Sequence, residues 1–377
     1  MAPRRKKTSS RLVSLDAFRG LTVMFMILVN NPGDWGHIYK PLEHAEWNGC
    51  TLADLVFPFF LFIVGVSTVF ALETKKQTQA DHGQLMLKIL RRAAIIFGLG
   101  LFMALYWYWD FHTVRIPGVL QRIALVYLLC GLIYVKTDYR IQAALFILIL
   151  IGYYLLMTRV QVPGYGQASL QPETNLGAWL DRLLFTPAHL WNQSRTWDPE
   201  GLLGTLPAMS TTLLGILTGT WLKRKEMIEG TKVGAMLLAG IVLAGAGWWW
   251  NASFPINKAL WTSSYVLFTG GIALIVFSLF YFFVDVLGYK KWTTPLVVYG
   301  VNAITVYVAS GLLARTLNKV QISFQGEDMS LGSALYKVFF QNFLSPINAS
   351  LAWAIAFVLA WMIILWIMYK RRIIVKI

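Results

Sequence analysis

Ten apolar segments, each about 20 residues long, occupy most of this chain between residues 13 and 369. A helix needs roughly that length to cross the hydrocarbon of a bilayer, where lipid offers no partner for unpaired backbone groups. The pattern predicts an all-α polytopic membrane protein with about ten transmembrane helices, near residues 13–31, 51–72, 88–109, 117–135, 140–158, 202–222, 232–250, 262–287, 293–314 and 350–369.

Charge is too scarce for a soluble enzyme of this size. Only 14% of the residues are charged and 57% are hydrophobic, whereas about 25% are charged in ordinary soluble domains. The net charge of +15 does not indicate nucleic acid as a partner, because the basic residues fall in short clusters between apolar runs. We expect the lipid bilayer to be the partner.

The basic clusters predict how the chain is oriented in the membrane. Alternate connections carry 22 and 9 Lys or Arg residues, and the richer side is expected to be cytoplasmic. Both termini then lie in the cytoplasm, with a basic tail at residues 1–12 and a long periplasmic loop at residues 159–200. We treat residues 1–377 as one transmembrane domain, with a short interfacial helix near 331–345 that has one apolar face.

Two groups of polar residues within this apolar chain need an explanation, since ionisable groups in spans are costly. Asp16 and Arg19 lie three residues apart near the start of the first helix and are expected to form an interfacial ion pair. A second group is predicted on the periplasmic side and would converge if its helices pack together: Asn30, His44, Asn48, Asp54, Arg122 and Asn302.

His44 is the most informative member of that group. A loop histidine is commonly a plain surface residue, but group transfer to a nucleophile needs a base of near-neutral pKa and donors for a developing oxyanion. Imidazole suits the first task, or alternatively acts as a nucleophile that carries the transferred group. We name His44, Asp54 and Asn48 as candidate catalytic residues, and we predict no metal site.

Several motifs resemble a known family. Residues 43–49 and 51–60 resemble the signature of the heparan-alpha-glucosaminide N-acetyltransferase family, which includes bacterial members. Further stretches that resemble the family are residues 14–20, 115–122, 198–205, 257–261 and 300–304. The resemblance covers nearly all of the membrane region.

The resemblance implies an enzyme that takes acetyl-CoA on the cytosolic side and acetylates a glucosamine amine on the far side. The family's active-site histidine aligns with His44. The implied location is the bacterial inner membrane, and the implied assembly is a homodimer. We expect this chain to lack a counterpart of the luminal N-terminal domain of the animal enzymes, and we therefore expect an amino sugar smaller than a heparan chain as acceptor. Candidate substrate-binding residues are Asn30, Trp47, Arg122, Glu200, Lys258 and Asn302.

Two other functions also fit the pattern of polar groups in an apolar bundle. One is a sugar or solute transporter, for which interrupted helices in corresponding positions of two halves would be diagnostic. The other is an O-acetyltransferase that acts on an envelope polysaccharide. The sequence leaves open whether an acetyl-histidine intermediate forms.

Overall fold

The computed structural model describes residues 12–78, 82–324 and 326–375, so the predicted basic tail lies outside the described residues except for Leu12. Within them the chain forms thirteen α-helices and one β-hairpin. The helices are α1 (Val13–Asn30), α2 (Val56–Thr78), α3 (Gly83–Leu105), α4 (Val119–Lys136), α5 (Tyr139–Arg159), α6 (Leu176–Phe185), α7 (Thr205–Leu222), α8 (Glu229–Trp250), α9 (Ser263–Phe280), α10 (Thr294–Val301), α11 (Ala303–Lys319), α12 (Leu331–Tyr336) and α13 (Pro346–Lys370).

Each of the ten predicted segments is helical. Seven helices in the described residues are long and apolar enough to cross a membrane, and a bent pair makes up to eight. Helices α3 and α7 both fall outside that count. Helix α3 carries Lys88, Arg91 and Arg92, and α7 is rich in Ser, Thr and Gly. An all-α polytopic membrane protein is therefore supported, and the total of ten spans and the side of the termini stay predictions.

The ninth predicted segment is not one continuous helix; that its two halves form one span stays a prediction. Helices α10 and α11 meet at Asn302 with a bend of 67°. The Asn302 amide hydrogen-bonds an extended segment that follows α13, donating to the Ile373 carbonyl (3.1 Å) and accepting from the Val375 N–H (3.0 Å). A sequence pattern cannot reveal this break, because the segment that pairs with it lies about 70 residues away.

Helix α7 lies in the centre of the bundle, where small residues allow helices to approach closely. A Cβ atom on Gly65 would lie 2.1 Å from the Thr212 carbonyl oxygen, and one on Gly215 would lie 2.1 Å from the Phe62 carbonyl oxygen. Helices α2 and α7 therefore pack backbone to backbone. This contact accounts for the small residues of the Gly215-xxx-Gly219 sequence and fixes the middle of α2 against α7.

Two parts of the fold were not predicted in detail. The long connection between α5 and α7 contains α6, and a hairpin pairs Gln321–Phe324 with Glu327–Ser330 just before α12. The predicted helix near 331–345 is confirmed as a helix: α12 continues as a π-helix over Lys337–Gln341. Phe339 and Phe343 are exposed there; an interfacial position stays a prediction.

Candidate active site

A cavity of about 400 Å³ opens at the C-terminal end of α1. Its walls come from the first turns of α2 and α4, from α11, and from the loops that precede α2, α7 and α9. Six residues predicted from the sequence line it: Asn30, His44, Trp47, Asp54, Glu200 and Lys258. We call it the His44 cavity.

His44 and Asp54 form the polar centre of this cavity. The His44 Nδ1 lies 2.8 Å from the Asp54 Oδ1, and Asp54 is almost fully buried (1% exposed), whereas 44% of the His44 side chain is exposed. A carboxylate only accepts hydrogen bonds, so this contact assigns the ring proton to Nδ1. Nε2 is then the ring nitrogen that can accept a proton.

The two oxygens of Asp54 have different tasks. Oδ2 accepts from the backbone N–H groups of Ala45 (3.1 Å) and Thr51 (3.0 Å) and from the Thr51 hydroxyl (3.1 Å). Oδ1 faces His44 and the Lys258 ammonium. Asp54 therefore binds the backbone of its own loop through Oδ2 and orients the His44 ring through Oδ1.

The loop that precedes α9 positions Lys258 beside His44. The Gly49 N–H donates to the Ile256 carbonyl (2.7 Å), and the Asn257 amide donates to the Asn48 Oδ1 (3.2 Å). Gly49 has φ +117°, a conformation that glycine adopts without strain. These contacts join the two loops side by side and explain how a residue 214 positions away reaches His44.

Lys258 lies beside both His44 and Asp54. Its Nζ is 3.2 Å from the His44 Nε2, 3.1 Å from Nδ1 and 3.3 Å from the Asp54 Oδ1. Because Nδ1 already carries the proton shared with Asp54, the Lys258 ammonium can donate to Nε2 or to the carboxylate. It places a positive charge beside the His44–Asp54 pair, and an ammonium in such a position can stabilise a developing negative charge.

Glu200 belongs to a second polar cluster at the rim. Arg115 Nε donates to the Asp198 Oδ2 (2.8 Å), and the same guanidinium bonds Glu200. Burial alone would lower the pKa of Arg115, but the bonds to Asp198 and the charge of Glu200 outweigh it and raise that pKa above its usual range. Arg115 therefore stays charged and clamps the end of the long connection onto the start of α4.

Three predicted residues do not line the cavity. Arg122 is fully buried behind it; its Nη2 donates to the Gly201 carbonyl (2.8 Å), and its guanidinium lies over Trp261. Asn48 joins two loops, and Asn302 lies at the break between α10 and α11. Direct roles for these three in catalysis or binding stay predictions, and their positions suit holding other residues.

A second cavity, about 520 Å³, is lined by the same helices and lies toward the N-terminal end of α1. Asp16, Arg19 and Arg92 line it. The predicted ion pair is confirmed, with the Arg19 Nη1 2.8 Å from the Asp16 Oδ1, and Arg19 also donates to the Ser67 hydroxyl (2.7 Å). We call this the Arg19 cavity.

Three apolar side chains separate the two cavities. Phe60 of α2, Ile123 of α4 and Ile304 of α11 line both of them. Asp54, just before α2, and Ser67 on α2 are 13 residues apart, which corresponds to about 20 Å of helix. The two cavities therefore adjoin at one layer of apolar side chains.

Comparisons with known proteins agree with these motifs. The catalytic family described as heparan-alpha-glucosaminide N-acetyltransferase, catalytic, matches residues 11–249. The chain belongs to this family. Among its relatives, the heparan-alpha-glucosaminide N-acetyltransferase of Homo sapiens is 32% identical over 353 residues, which cover 79% of this chain and 52% of that protein. The Mus musculus protein of the same name is 31% identical over 366 residues, covering 82% and 54%.

The chain spans about half the length of these two relatives. The matched family region contains both halves of the His44–Asp54 pair and the Arg115 cluster, while Lys258 and α11 follow it in the sequence. In this family member the site is therefore assembled from the matched region together with residues beyond residue 249.

Several lining residues were not singled out from the sequence. Arg115, Trp197 and Tyr307 all line the His44 cavity, and Trp197 packs edge-on against Trp47 with ring centroids 5.1 Å apart. Arg115 and Asp198 each stand in a motif that resembles the family, which is the only signal the sequence offered. Their pairing spans 83 positions, so it could not be inferred from spacing. Among the described residues, no group of three His, Cys, Asp or Glu side chains could hold a metal ion.

Proposed function

We propose that this protein is a transmembrane N-acetyltransferase that moves an acetyl group from acetyl-CoA, bound from the Arg19 cavity, to the amine of a glucosamine-type sugar in the His44 cavity. The observation that carries the proposal is a pair of cavities that are lined by the same four helices and meet at three apolar side chains. Family membership supports the acetyl-transfer chemistry.

The Arg19 cavity suits the donor. CoA is polyanionic at its nucleotide end and has a long, narrow pantetheine arm that ends in the thioester. Arg19 and Arg92 place two guanidinium groups in this cavity, and guanidinium matches phosphate geometry with paired donors. The wall beyond them, toward Phe60, is apolar and suits the arm.

The His44 cavity suits the acceptor. Trp47 and Trp197 supply aromatic surface for a sugar ring, and the Trp47 indole is held by a hydrogen bond to the Leu170 carbonyl (3.1 Å). A glucosamine amine is protonated in water, and its nitrogen becomes a nucleophile only after it loses that proton. In this proposal His44 Nε2 takes the proton, because Asp54 holds the other ring nitrogen.

The step balances without any other reactant. The amine nitrogen forms a bond to the acetyl carbonyl carbon, the C–S bond of the thioester breaks, and the thiolate leaves. An ammonium loses two protons as it becomes an amide: one passes through His44 to the sulfur and the other goes to water, so the products are an amide, free CoA and a proton. Lys258 is placed to donate to the carbonyl oxygen as it becomes negative. In a two-step variant, the His44 nitrogen itself would carry the acetyl group.

Purified protein with acetyl-CoA and glucosamine should release free CoA and form N-acetylglucosamine, and His44→Ala should abolish both. His37→Ala is a matched control, because His37 also pairs with a carboxylate, Asp34 (2.7 Å), yet does not line the His44 cavity. Mass spectrometry of the product distinguishes an amide from the ester that an O-acetyltransferase would make. Full activity in His44→Ala would reject the assignment.

The proposed sidedness needs its own test. In proteoliposomes with a single orientation, acetyl-CoA on the side of the Arg19 cavity should acetylate glucosamine supplied only on the other side. Labelled acetyl-CoA without acceptor should label the protein if an acetyl-histidine forms. Counterflow of labelled glucosamine without acetyl-CoA would instead favour a transporter; among the described residues one bent helix pair is present.

A further inference from the structure

A short segment follows the end of α13 and turns back to the bundle. The turn is made at Arg372, whose φ is +56°. The N–H groups of Arg372 and Ile373 donate to the carbonyls of Tyr369 and Met368 (3.0 and 2.9 Å). Two such bonds around a left-handed residue form the Schellman motif, which ends a helix and redirects the chain. We call residues 373–375, which come after this turn, the strap.

Asn302 holds the strap through both groups of its side-chain amide. Its Nδ2 donates to the Ile373 carbonyl (3.1 Å), and its Oδ1 accepts from the Val375 N–H (3.0 Å). A residue in an adjacent strand would pair with the segment in the same way. Asn302 is almost fully buried, and a buried amide without partners is costly. The docked position of the strap is therefore favoured by the two bonds.

The docked strap forms part of the wall of the Arg19 cavity. Ile374 and Val375 line this cavity, and so do Gly300 and Ala303 on either side of the helix break. The side chains of Ile374 and Val375 are also 44% and 49% exposed. One side of the strap thus faces the cavity while the other faces the surroundings of the protein. At this place the wall of the cavity is a single extended segment thick.

Few contacts attach the strap to the rest of the fold. Within the described part of the chain it makes three hydrogen bonds, one to the last turn of α13 and two to Asn302. Segments with few hydrogen bonds and little buried apolar surface open locally at a small cost in free energy. Loss of the two Asn302 bonds would release the strap and leave α13 with its terminal turn in place.

The strap is attached next to the layer that separates the two cavities. Asn302 lies at the break between α10 and α11, where the helix axis bends by 67°. Ile304, one of the three side chains of that layer, is two positions further on, in the first turn of α11. The amide that binds the strap therefore adjoins the layer that the acetyl group crosses in the proposed reaction.

We propose that the strap is a cover of the Arg19 cavity and that Asn302 is the positioning residue that holds this cover closed. CoA enters and leaves while the strap is undocked, and the docked strap retains the bound donor. Lids of this kind commonly control ligand exchange in enzymes. The inference rests on the proposed function, which places the donor in this cavity, and it adds the step that controls donor exchange.

The decisive experiment compares two substitutions of Val375. Val375→Pro removes the N–H that the Asn302 Oδ1 accepts, whereas Val375→Ala loses the same side chain but keeps that N–H. Association and dissociation rates of CoA are measured on each purified variant by surface plasmon resonance. Loss of one ordinary hydrogen bond shifts an opening equilibrium roughly fivefold, so both rates should be about fivefold higher in the Pro variant. Because the two rates rise together, the Kd for CoA should change little.

Asn302→Ala removes both bonds to the strap, so both CoA rates should rise at least as much as in Val375→Pro.

A second measurement does not depend on CoA. Thr68 lines the Arg19 cavity and is 4% exposed, so a reagent reaches Thr68→Cys through that cavity. With Cys50→Ser and Cys130→Ala as background, a charged maleimide should label this thiol roughly fivefold faster in Val375→Pro than in Val375→Ala. Thr78→Cys is the matched control, because Thr78 is exposed at the end of the same helix and its labelling should be equal in both.

The two measurements separate this proposal from the proposed function. Equal labelling of the Thr68→Cys thiol in the Pro and Ala variants, or CoA rates that do not differ between them, would overturn the cover. If labelling is faster in the Pro variant but no variant binds CoA, the donor assignment of the proposed function fails and the cover stands. If glucosamine is acetylated but neither rate differs, the cover alone fails.

Discussion

Replacing Asp54 by Asn tests the role of the His44–Asp54 pair, because the two oxygens of Asp54 make separate contacts. The backbone donors of the loop all bond Oδ2, while His44 bonds Oδ1. An Asn side chain can keep its carbonyl at the Oδ2 position and satisfy the loop. Its NH₂ group then faces the His44 Nδ1 and donates to it.

That exchange reverses the tautomer of the imidazole. With Nδ1 accepting, the proton must lie on Nε2, which can no longer take a proton from the amine. A positioned general base contributes about 10²–10⁴-fold, so we expect kcat for acetylation of glucosamine to fall by at least about 100-fold. The KM for acetyl-CoA should change little, since the Arg19 cavity does not include Asp54.

The assay is CoA release from acetyl-CoA and glucosamine by purified protein, together with the thermal unfolding temperature in detergent. Unfolding should change little, because Asn retains the loop contacts. Asp34→Asn is the matched control, since Asp34 also pairs with a histidine but lies outside the cavity. Wild-type turnover by a folded Asp54→Asn protein would refute the tautomer argument.

Three further predictions concern the surroundings of the site. Arg115→Gln leaves buried Asp198 without its partner, so the folded state should lose about 3–5 kcal/mol, seen as a lower unfolding temperature in detergent; an unchanged temperature would contradict the clamp. Burial raises the pKa of Asp181 to about 7 in the folded protein. Protonation of Asp181 therefore contributes about 4 kcal/mol to the free energy of unfolding below about pH 4. This contribution is lost as the pH rises through 7. Asp181→Asn should therefore show a smaller fall in unfolding temperature between pH 5 and pH 8 than the wild type, and equal falls would exclude this origin. Ile304→Phe enlarges the layer between the cavities, so acetyl transfer should slow at least tenfold while calorimetry shows CoA binding retained; transfer at the wild-type rate would mean that the donor does not pass this layer.

Local patterns in the sequence determined the fold class. Apolar runs of about 20 residues have few alternatives to a membrane-spanning helix, because lipid leaves backbone groups unpaired. Each of the ten predicted segments is helical for that reason. The break at Asn302 was missed, since a hydropathy pattern records the apolar character of a segment and not the direction of its axis.

The central pair of the candidate site consists of two predicted residues that are close in sequence. His44 and Asp54 lie ten positions apart and are joined directly by a hydrogen bond. Asn30, Trp47, Glu200 and Lys258 also reach the same cavity. Arg122 was predicted as a binding residue together with these, but its side chain on α4 lies in the protein interior, where it donates to the Gly201 carbonyl.

The sequence by itself indicated an all-α polytopic membrane protein of an acetyltransferase family, and it predicted His44 as a catalytic residue. Only the tertiary structure decided that Lys258 lies beside His44, that Arg115 clamps Asp198, and that two cavities lined by the same helices share one apolar layer. Helix periodicity and hydropathy act over a few turns of one segment. Contacts between residues 80 to 210 positions apart depend instead on how whole helices pack, and packing is set by small residues and loops that have no distinctive local pattern.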